Sequence, residues 1–215
     1  MSIFAKAQSS FIAVLIRKVF RVEIINPENE PESGAYITCA NHLSVCDPLI
    51  VGACMHRPLR YMAKSELFRV PVLKYIIKWF GAYPVNRSGA DVSSIKATIN
   101  ILAGGEIVGM YMQGGRARDR HPKDVEPKHG AAMIAVRAKS GVLPVTIIAR
   151  GHRIRFFRRT VLVFGRYMPY AELVEAGESP PQGSESMSLY KKVTEKIYAE
   201  IVSNYERHDT VNKLK

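Results

Sequence analysis

"AYITCANHLSVCDPLIVGACM", from Ala35 to Met55, decides the fold class of this chain. Its opening, AYITCA, alternates loosely and is rich in strand formers, so it reads as a buried strand ending near Ala40. Its close, CDPLIVGACM, reads as a helix start, with Asp47 at the N-cap and Pro48 at the first helical position. A strand handed to a helix through a short polar corner is the unit of an α/β layered domain. In open sheets of that kind, binding and catalytic groups collect at the C-terminal ends of the strands. The corner here, NHLSVCD, is polar in the positions where a packed connection would be apolar.

Outward from that corner the same alternation continues. Upstream, NPENEPESG (Asn26 to Gly34) is a turn-forming stretch. Downstream, a short strand is expected at Leu59 to Ala63, with helices over Pro71 to Phe80 and Val92 to Ala103. Between those helices GAYPVNR is a short extended segment. EIVGMYM (Glu106 to Met112) reads as a strand running into the glycines of QGGR, followed by a helix over Lys128 to Ser140. Val142 to Ala149 and Thr160 to Arg166 are strands, and EAGESPPQGSES is a surface loop. The last helix, Met187 to Arg207, carries Tyr190, Val193, Ile197, Ile201 and Tyr205 on one core-packing stripe. The expected fold is a single layered α/β domain with a mixed, largely parallel sheet flanked by helices. No internal repeat or interior linker divides it.

The N-terminal segment is read separately, as an amphipathic helix over residues 1–22 ahead of a domain spanning 23–215. At about 100° per residue, Phe4, Phe11, Ile12, Leu15, Ile16, Val19 and Phe20 fall on one half of the wheel, and Lys6, Arg17, Lys18 and Arg21 on the other. Bulky apolar residues opposite a basic face suit a membrane interface, although a core-packing helix has the same pattern. The longest stretch without Asp, Glu, Lys or Arg is Ser33 to Cys46, which is short and polar against the roughly 20 apolar residues a membrane span requires. No cleavage site follows the apolar run at the N-terminus, so no signal peptide is expected.

Charge narrows the partners. Thirty-one Lys and Arg against 19 Asp and Glu give a net charge of +12, which calls for an anionic partner. Part of it lies in RGHRIRFFRRTVLVFGR (Arg150 to Arg166), a basic run interleaved with phenylalanines that suits an anionic leaflet or a solvated hairpin. The three cysteines, Cys39, Cys46 and Cys54, form neither a disulfide framework nor a CxxC pair, and are read as small apolar residues in a reducing compartment.

The chemistry centres on His42 and Asp47. Within one helix five residues turn through about 140°, so the two side chains would diverge. Across a strand–turn–helix corner they can meet, the carboxylate accepting from one ring nitrogen and leaving the other as a base for a hydroxyl. The alternative is a plain N-cap at Asp47 with no catalytic meaning. No nucleophile completes a triad, since Ser44 lacks a G-x-S-x-G elbow, and the scattered histidines give no metal-ligand spacing. Two further strand ends carry groups suited to anions: Arg87 in PVNR, and Gly114, Gly115, Arg116 and Arg118 in QGGRARD.

These blocks together resemble a known family. The order N-H-x-S-x-x-D-P (Asn41 to Pro48), K-x-E-L-F (Lys64 to Phe68), G-x-x-P-V-x-R (Gly81 to Arg87), G-G-R-x-R (Gly114 to Arg118), K-x-G-A (Lys128 to Ala131) and V-x-P-V (Val142 to Val145) is similar to that of the glycerolipid acyltransferases, of which the 1-acylglycerol-3-phosphate O-acyltransferases are the best-known members. The resemblance covers about half the chain. It implies that His42 takes the proton from an acceptor hydroxyl while Asp47 orients it, and that the acceptor oxygen attacks the thioester of acyl-CoA or acyl-carrier protein. Arg87 and Arg116, with Gln113, Gly114 and Gly115, would hold the phosphate of lysophosphatidic acid, and Asn41, Lys64 and Arg118 would support the site. Pro144 would be structural. No metal or bound cofactor is implied. The implied partners are lysophospholipid, an acyl thioester and an anionic membrane surface, with acyl-carrier protein as a donor and no nucleic acid. The implied location is peripheral, at the cytoplasmic face of the membrane. One position departs from the family pattern, where the third block begins Glu-Gly: here Gln113 stands in place of the acid. That leaves open another lysolipid acceptor, or a weakened, lipid-binding relative.

Overall fold

A computed structural model describes residues 11–85, 92–174 and 185–212. In the described residues a seven-stranded sheet runs in the order β1-β7-β6-β2-β5-β3-β4. The strands are β1 (Val22–Ile25), β2 (Tyr36–Ala40), β3 (Leu59–Lys64), β4 (Ala82–Val85), β5 (Ile107–Tyr111), β6 (Gly141–Ala149) and β7 (Thr160–Phe164). Neighbours pair in parallel except β6 and β7, which form an antiparallel hairpin. The helices are α1 (Phe11–Val19), α2 (Asp47–Cys54), α3 (Leu73–Trp79), α4 (Val92–Ala103), α5 (Gly130–Ala138), α6 (Tyr170–Leu173) and α7 (Glu185–His208). The layered, largely parallel sheet is the one expected from the alternation of strands and helices.

The strands that carry the site lie deep because their sequences are apolar on both faces. Every residue of β2, β6 and β7 is buried, as in strands covered by helices on either side. On one face Ile37, Cys39, Val108 and Val142 pack against α4, α5 and α7 through Leu102, Ala132, Ala135, Val193, Ile197 and Ile201. On the other, Tyr36, Ala40, Leu143, Val145 and Ile147 pack with Val51 and Cys54 of α2. The period of two along each strand thus divides one apolar run between two cores.

Two local expectations are corrected. The N-terminal helix read over residues 1–22 is described only over Phe11–Val19, residues 1–10 lying outside the described set, and a strand follows it at once. Arg21 adopts φ 44, a left-handed turn that ends the helical path and starts β1. Short and half-exposed, β1 gave no alternation long enough to read. Asp47 is also not the N-cap of α2. That place belongs to Cys46, and Asp47 is the first helical residue, followed by Pro48.

Registers place the ends of these elements. Ala40 pairs with Tyr111 and with Val145, so the C-terminal ends of β2 and β5 lie side by side with the later half of β6 beyond them. Because β7 reverses direction, its first residue Thr160 pairs with Ala149, and Val22 pairs with Thr160. The end of α1, the β6–β7 loop and the NHLSVCD corner therefore share one edge of the sheet. Asn41 fastens that edge. Its Nδ2 donates to the Ile147 carbonyl at 2.9 Å and its Oδ1 accepts from the Ile147 N–H at 2.8 Å, fully buried. Asn41 is thus a staple between β2 and β6.

Replacing Asn41 by Ala leaves two buried backbone groups unpaired, at roughly 1–3 kcal/mol each. Asn41→Ala is expected to lower unfolding free energy by about 2–6 kcal/mol, read as a drop in urea midpoint at unchanged slope. A midpoint equal to that of the parent would contradict the staple.

Candidate active site

After β2 ends, the chain turns so that a single carboxylate oxygen serves the whole corner. Asp47 Oδ2 lies 2.6 Å from His42 Nδ1 and accepts from the backbone N–H of Leu43 at 2.6 Å and of Ser44 at 2.8 Å. Asp47 is fully buried. Burial pushes its carboxyl above the usual carboxylate range, while the bond and charge of His42 and the two backbone donors pull it back. Oδ1 has no hydrogen-bond partner among the described residues. Two obligate N–H donors on Oδ2 fit the ionised form, which then accepts from Nδ1–H and leaves the lone pair on Nε2.

The imidazole is held in three further ways. Its ring stacks on Tyr111, centroids 4.0 Å apart and planes 17° from parallel. Its backbone carbonyl accepts from Ala117 N–H at 2.8 Å, which draws the QGGRARD segment against the corner. Its backbone N–H donates to Gln113 Oε1 at 2.6 Å. The ring remains 16% exposed, and Nε2 has no partner among the described residues. The spacing His42 to Asp47 therefore closes across the strand–helix corner, as the sequence reading expected.

Gln113 has a different place from the phosphate-binding one expected. It is buried, with its amide turned inward. A backbone N–H can only donate, so the oxygen end of the amide faces His42. The nitrogen end donates to Tyr198 Oη at 3.2 Å, and that hydroxyl donates to the Pro122 carbonyl at 2.8 Å. Donor and acceptor directions are consistent from end to end. A glutamate would present an acceptor to a Tyr198 hydroxyl whose single proton already serves Pro122.

The remaining expected residues divide. Gly114 takes φ +68, and a Cβ there would stand 3.0 Å from Lys128 Cγ, so glycine suits the turn; its N–H points back to Tyr111 O at 3.4 Å. Gly115 is exposed, and its N–H is unpartnered among the described residues. Arg116 is exposed beside it. Arg118 lines a cleft of about 290 Å³ with Leu43, Ser44, Ile154, Arg153 and Arg155. In that cleft Arg153 is bonded to Asp119, whose carboxyl the guanidinium holds below the usual range. Lys64 is exposed at the end of β3, which β5 separates from β2. Arg87 lies outside the described residues. Tyr111, Tyr198, Arg153 and Arg155 were not among the expected site residues. Strand pairing and the chain's return from β6 and α7 bring them in; the basic run Arg150 to Arg166 marked the two arginines as charge but not as part of this site.

A protein-family model described as Acyltransferase matches residues 21–148. The 1-acyl-sn-glycerol-3-phosphate acyltransferase of Bacillus subtilis is 34% identical over 124 residues, covering 57% of this chain and 60% of that protein. The protein of the same name from Streptococcus pneumoniae is 36% identical over 112 residues, covering 52% and 40% respectively. The matched regions thus span about two fifths to three fifths of those relatives' lengths. The crystal structure of the 1-acyl-sn-glycerophosphate (LPA) acyltransferase PlsC from Thermotoga maritima superposes with a TM-score of 0.68 at 20% identity, covering 95% of this chain and 82% of that one. It shares the fold.

The amide relay makes a prediction of its own. Gln113→Glu is expected to destabilise the protein by about 1–3 kcal/mol, because the Tyr198 hydroxyl then lies between two acceptors. Tyr198→Phe should cost less in that background than in the parent, giving a coupling of at least about 0.5 kcal/mol in a double-mutant cycle by denaturant unfolding. Additive effects would show that the two side chains do not communicate.

Proposed function

The chain belongs to the acyltransferase family, and within it we propose a 1-acylglycerol-3-phosphate O-acyltransferase. It would move a fatty acyl group from acyl-CoA or acyl-carrier protein to the free hydroxyl of lysophosphatidic acid, giving phosphatidic acid. The observation that carries this reading is the His42 Nδ1–Asp47 contact of 2.6 Å, with Nε2 unpartnered among the described residues and the next two residues of the corner, Leu43 and Ser44, lining an arginine-walled cleft. The Bacillus subtilis and Streptococcus pneumoniae relatives, named for that activity, support the acceptor.

In the proposed reaction Nε2 takes the proton of the acceptor hydroxyl as its oxygen attacks the thioester carbonyl. A C–O bond forms, the C–S bond breaks, and the departing thiolate takes the proton back from the imidazolium. Asp47, already bonded to Nδ1, stabilises the imidazolium while it exists and keeps the ring from turning. No covalent enzyme intermediate is needed. Arg118, with Arg153 and Arg155 in the lining of the same cleft, supplies cations for the acceptor phosphate, and Arg116, two residues before Arg118, is exposed. The Gly115 N–H is a backbone donor free to meet a substrate oxygen. The inward-turned amide of Gln113 favours an active enzyme over a non-catalytic lipid binder, since it supports the His42 backbone and leaves the acceptor to the arginines.

We also place the protein at a membrane surface, on the cytoplasmic face where acyl-CoA and acyl-carrier protein are found. Among the described residues no helix is long and apolar enough to cross a membrane. Instead α1, packed on α2, leaves Phe11, Ile12, Val14 and Leu15 exposed, Phe11 by 81%. Exposed apolar residues grouped on a helix of this kind suit the interface between head groups and acyl chains.

Acyl transfer from each donor to detergent-dispersed lysophosphatidic acid tests the reading. His42→Ala and Asp47→Asn are each expected to lower kcat by about 10²–10⁴-fold, with far-UV circular dichroism showing that His42→Ala is folded at the assay temperature. Transfer that persists in His42→Ala would refute the assignment of the base.

A further inference from the structure

A second arginine cluster lies on the same sheet edge, apart from the cleft beside His42. Arg21, Arg150, Arg158 and Arg159 line an open cavity of about 220 Å³ together with Thr210 and Val211. Arg159 is bonded to Glu23, its Nε 2.7 Å from Oε2. Among the described residues no carboxylate pairs with Arg21, Arg150 or Arg158, so three of the four arginines that line this pocket have no bonded carboxylate. Like charges lining one pocket repel, and a pocket that gathers them suits an anion with several acceptor oxygens. Arginine matches phosphate through paired N–H bonds.

What flanks the cavity indicates which phosphate. The same β6–β7 loop presents Phe156 and Phe157, 63% and 70% exposed. This loop is fixed to the end of α1: Phe157 N–H donates to the Val19 carbonyl at 2.7 Å, and Phe156 packs on Phe20 with centroids 5.2 Å apart. The exposed apolar residues of α1, the two phenylalanines and the arginine cavity are therefore one continuous surface. Apolar rings beside guanidinium groups match the boundary of a bilayer, where acyl chains and anionic head groups meet. A soluble acidic protein would match the arginines and leave the rings in water.

We propose that Arg21, Arg150 and Arg158 bind the phosphate of an anionic phospholipid head group, with Phe156 and Phe157 inserted among the acyl chains beside it. The site extends the placement at a membrane surface proposed above and is separate from the acceptor cleft. It seats the shared edge of the sheet on the bilayer and turns the opening beside His42 towards the lipid that carries the acceptor.

The experiment is co-sedimentation with vesicles of phosphatidylglycerol and phosphatidylcholine, against pure phosphatidylcholine vesicles. The parent chain is compared with Arg150→Gln/Arg158→Gln and with a charge-matched control, Arg137→Gln/Lys191→Gln, on α5 and α7. The cavity variant is expected to lose at least about tenfold in partitioning to the anionic vesicles, while the control stays within about twofold of the parent. Transfer to detergent-dispersed lysophosphatidic acid should be unchanged in the cavity variant, which also establishes that it folds. Equal losses in variant and control would reduce the effect to net charge and overturn the site. Undiminished binding would overturn it as well, and so would undiminished binding with a raised KM for acyl-carrier protein alone, which would assign the cavity to that donor. A parent without acyl transfer that still shows the vesicle difference would sink the enzymatic reading and leave this one standing.

Discussion

A buried carboxylate must be satisfied or neutralised, and Asp47 imposes that condition on everything around it. It lies at the first residue of α2, where the helix dipole favours a negative charge. Its Oδ2 gathers the N–H groups of Leu43 and Ser44 as well as the ring of His42. The two backbone donors belong to the turn that leaves β2, so the bonds that stabilise the anion also define the path of the chain. His42 is thereby aimed by the fold of its own corner. The ring cannot turn away without losing both the carboxylate at 2.6 Å and the face of Tyr111 at 4.0 Å.

Around that corner, hydrogen-bond direction decides which residues fit. Asn41 can staple β2 to β6 because an amide offers one donor and one acceptor to a strand's N–H and carbonyl. Gln113 performs the corresponding task on the other side, between a donor, the His42 N–H, and the Tyr198 oxygen. A carboxylate would meet only half of that requirement. The amide of Gln113 finds its second partner in Tyr198, a residue 85 positions away on α7. Tyr198 is buried, and desolvation raises its phenol, which keeps the proton that Pro122 receives.

Much of this was legible in the sequence, and what was missed has physical reasons. The long buried strands and the helices Val92–Ala103 and Glu185–His208 were readable because their periodicity runs over several turns or pleats. The four-residue β1 carried too little pattern, and the helical reading of its neighbours ran up to it. His42 and Asp47 could be paired because they are neighbours across one corner. Gln113 was placed in the site but given the wrong partner, since its direction depends on Tyr198. Tyr111 was invisible for a related reason: only the register Ala40 to Tyr111 puts it beneath the imidazole. Arg153 and Arg155 were read as part of a basic run suited to an anionic leaflet or a solvated hairpin, and the reversal of β7 brings their loop back to Leu43 and Ser44.

That reversal matters more than its size suggests. Had β7 continued the parallel order, a crossover would have carried residues 150–159 away from the strand ends. As a hairpin, β6 delivers the loop to the edge where β2 and β5 end, and β1 pairs with β7 so that α1 ends there too. One antiparallel step in an otherwise parallel sheet therefore gathers the His42 corner, the arginine-walled cleft and the exposed rings of Phe156 and Phe157 along one rim. The lysolipid acceptor proposed above would require that arrangement. Its hydroxyl and phosphate are a few bonds apart and its acyl chain belongs in the bilayer, so a catalyst that takes it from the membrane needs proton acceptor, cation and apolar contact on the same side.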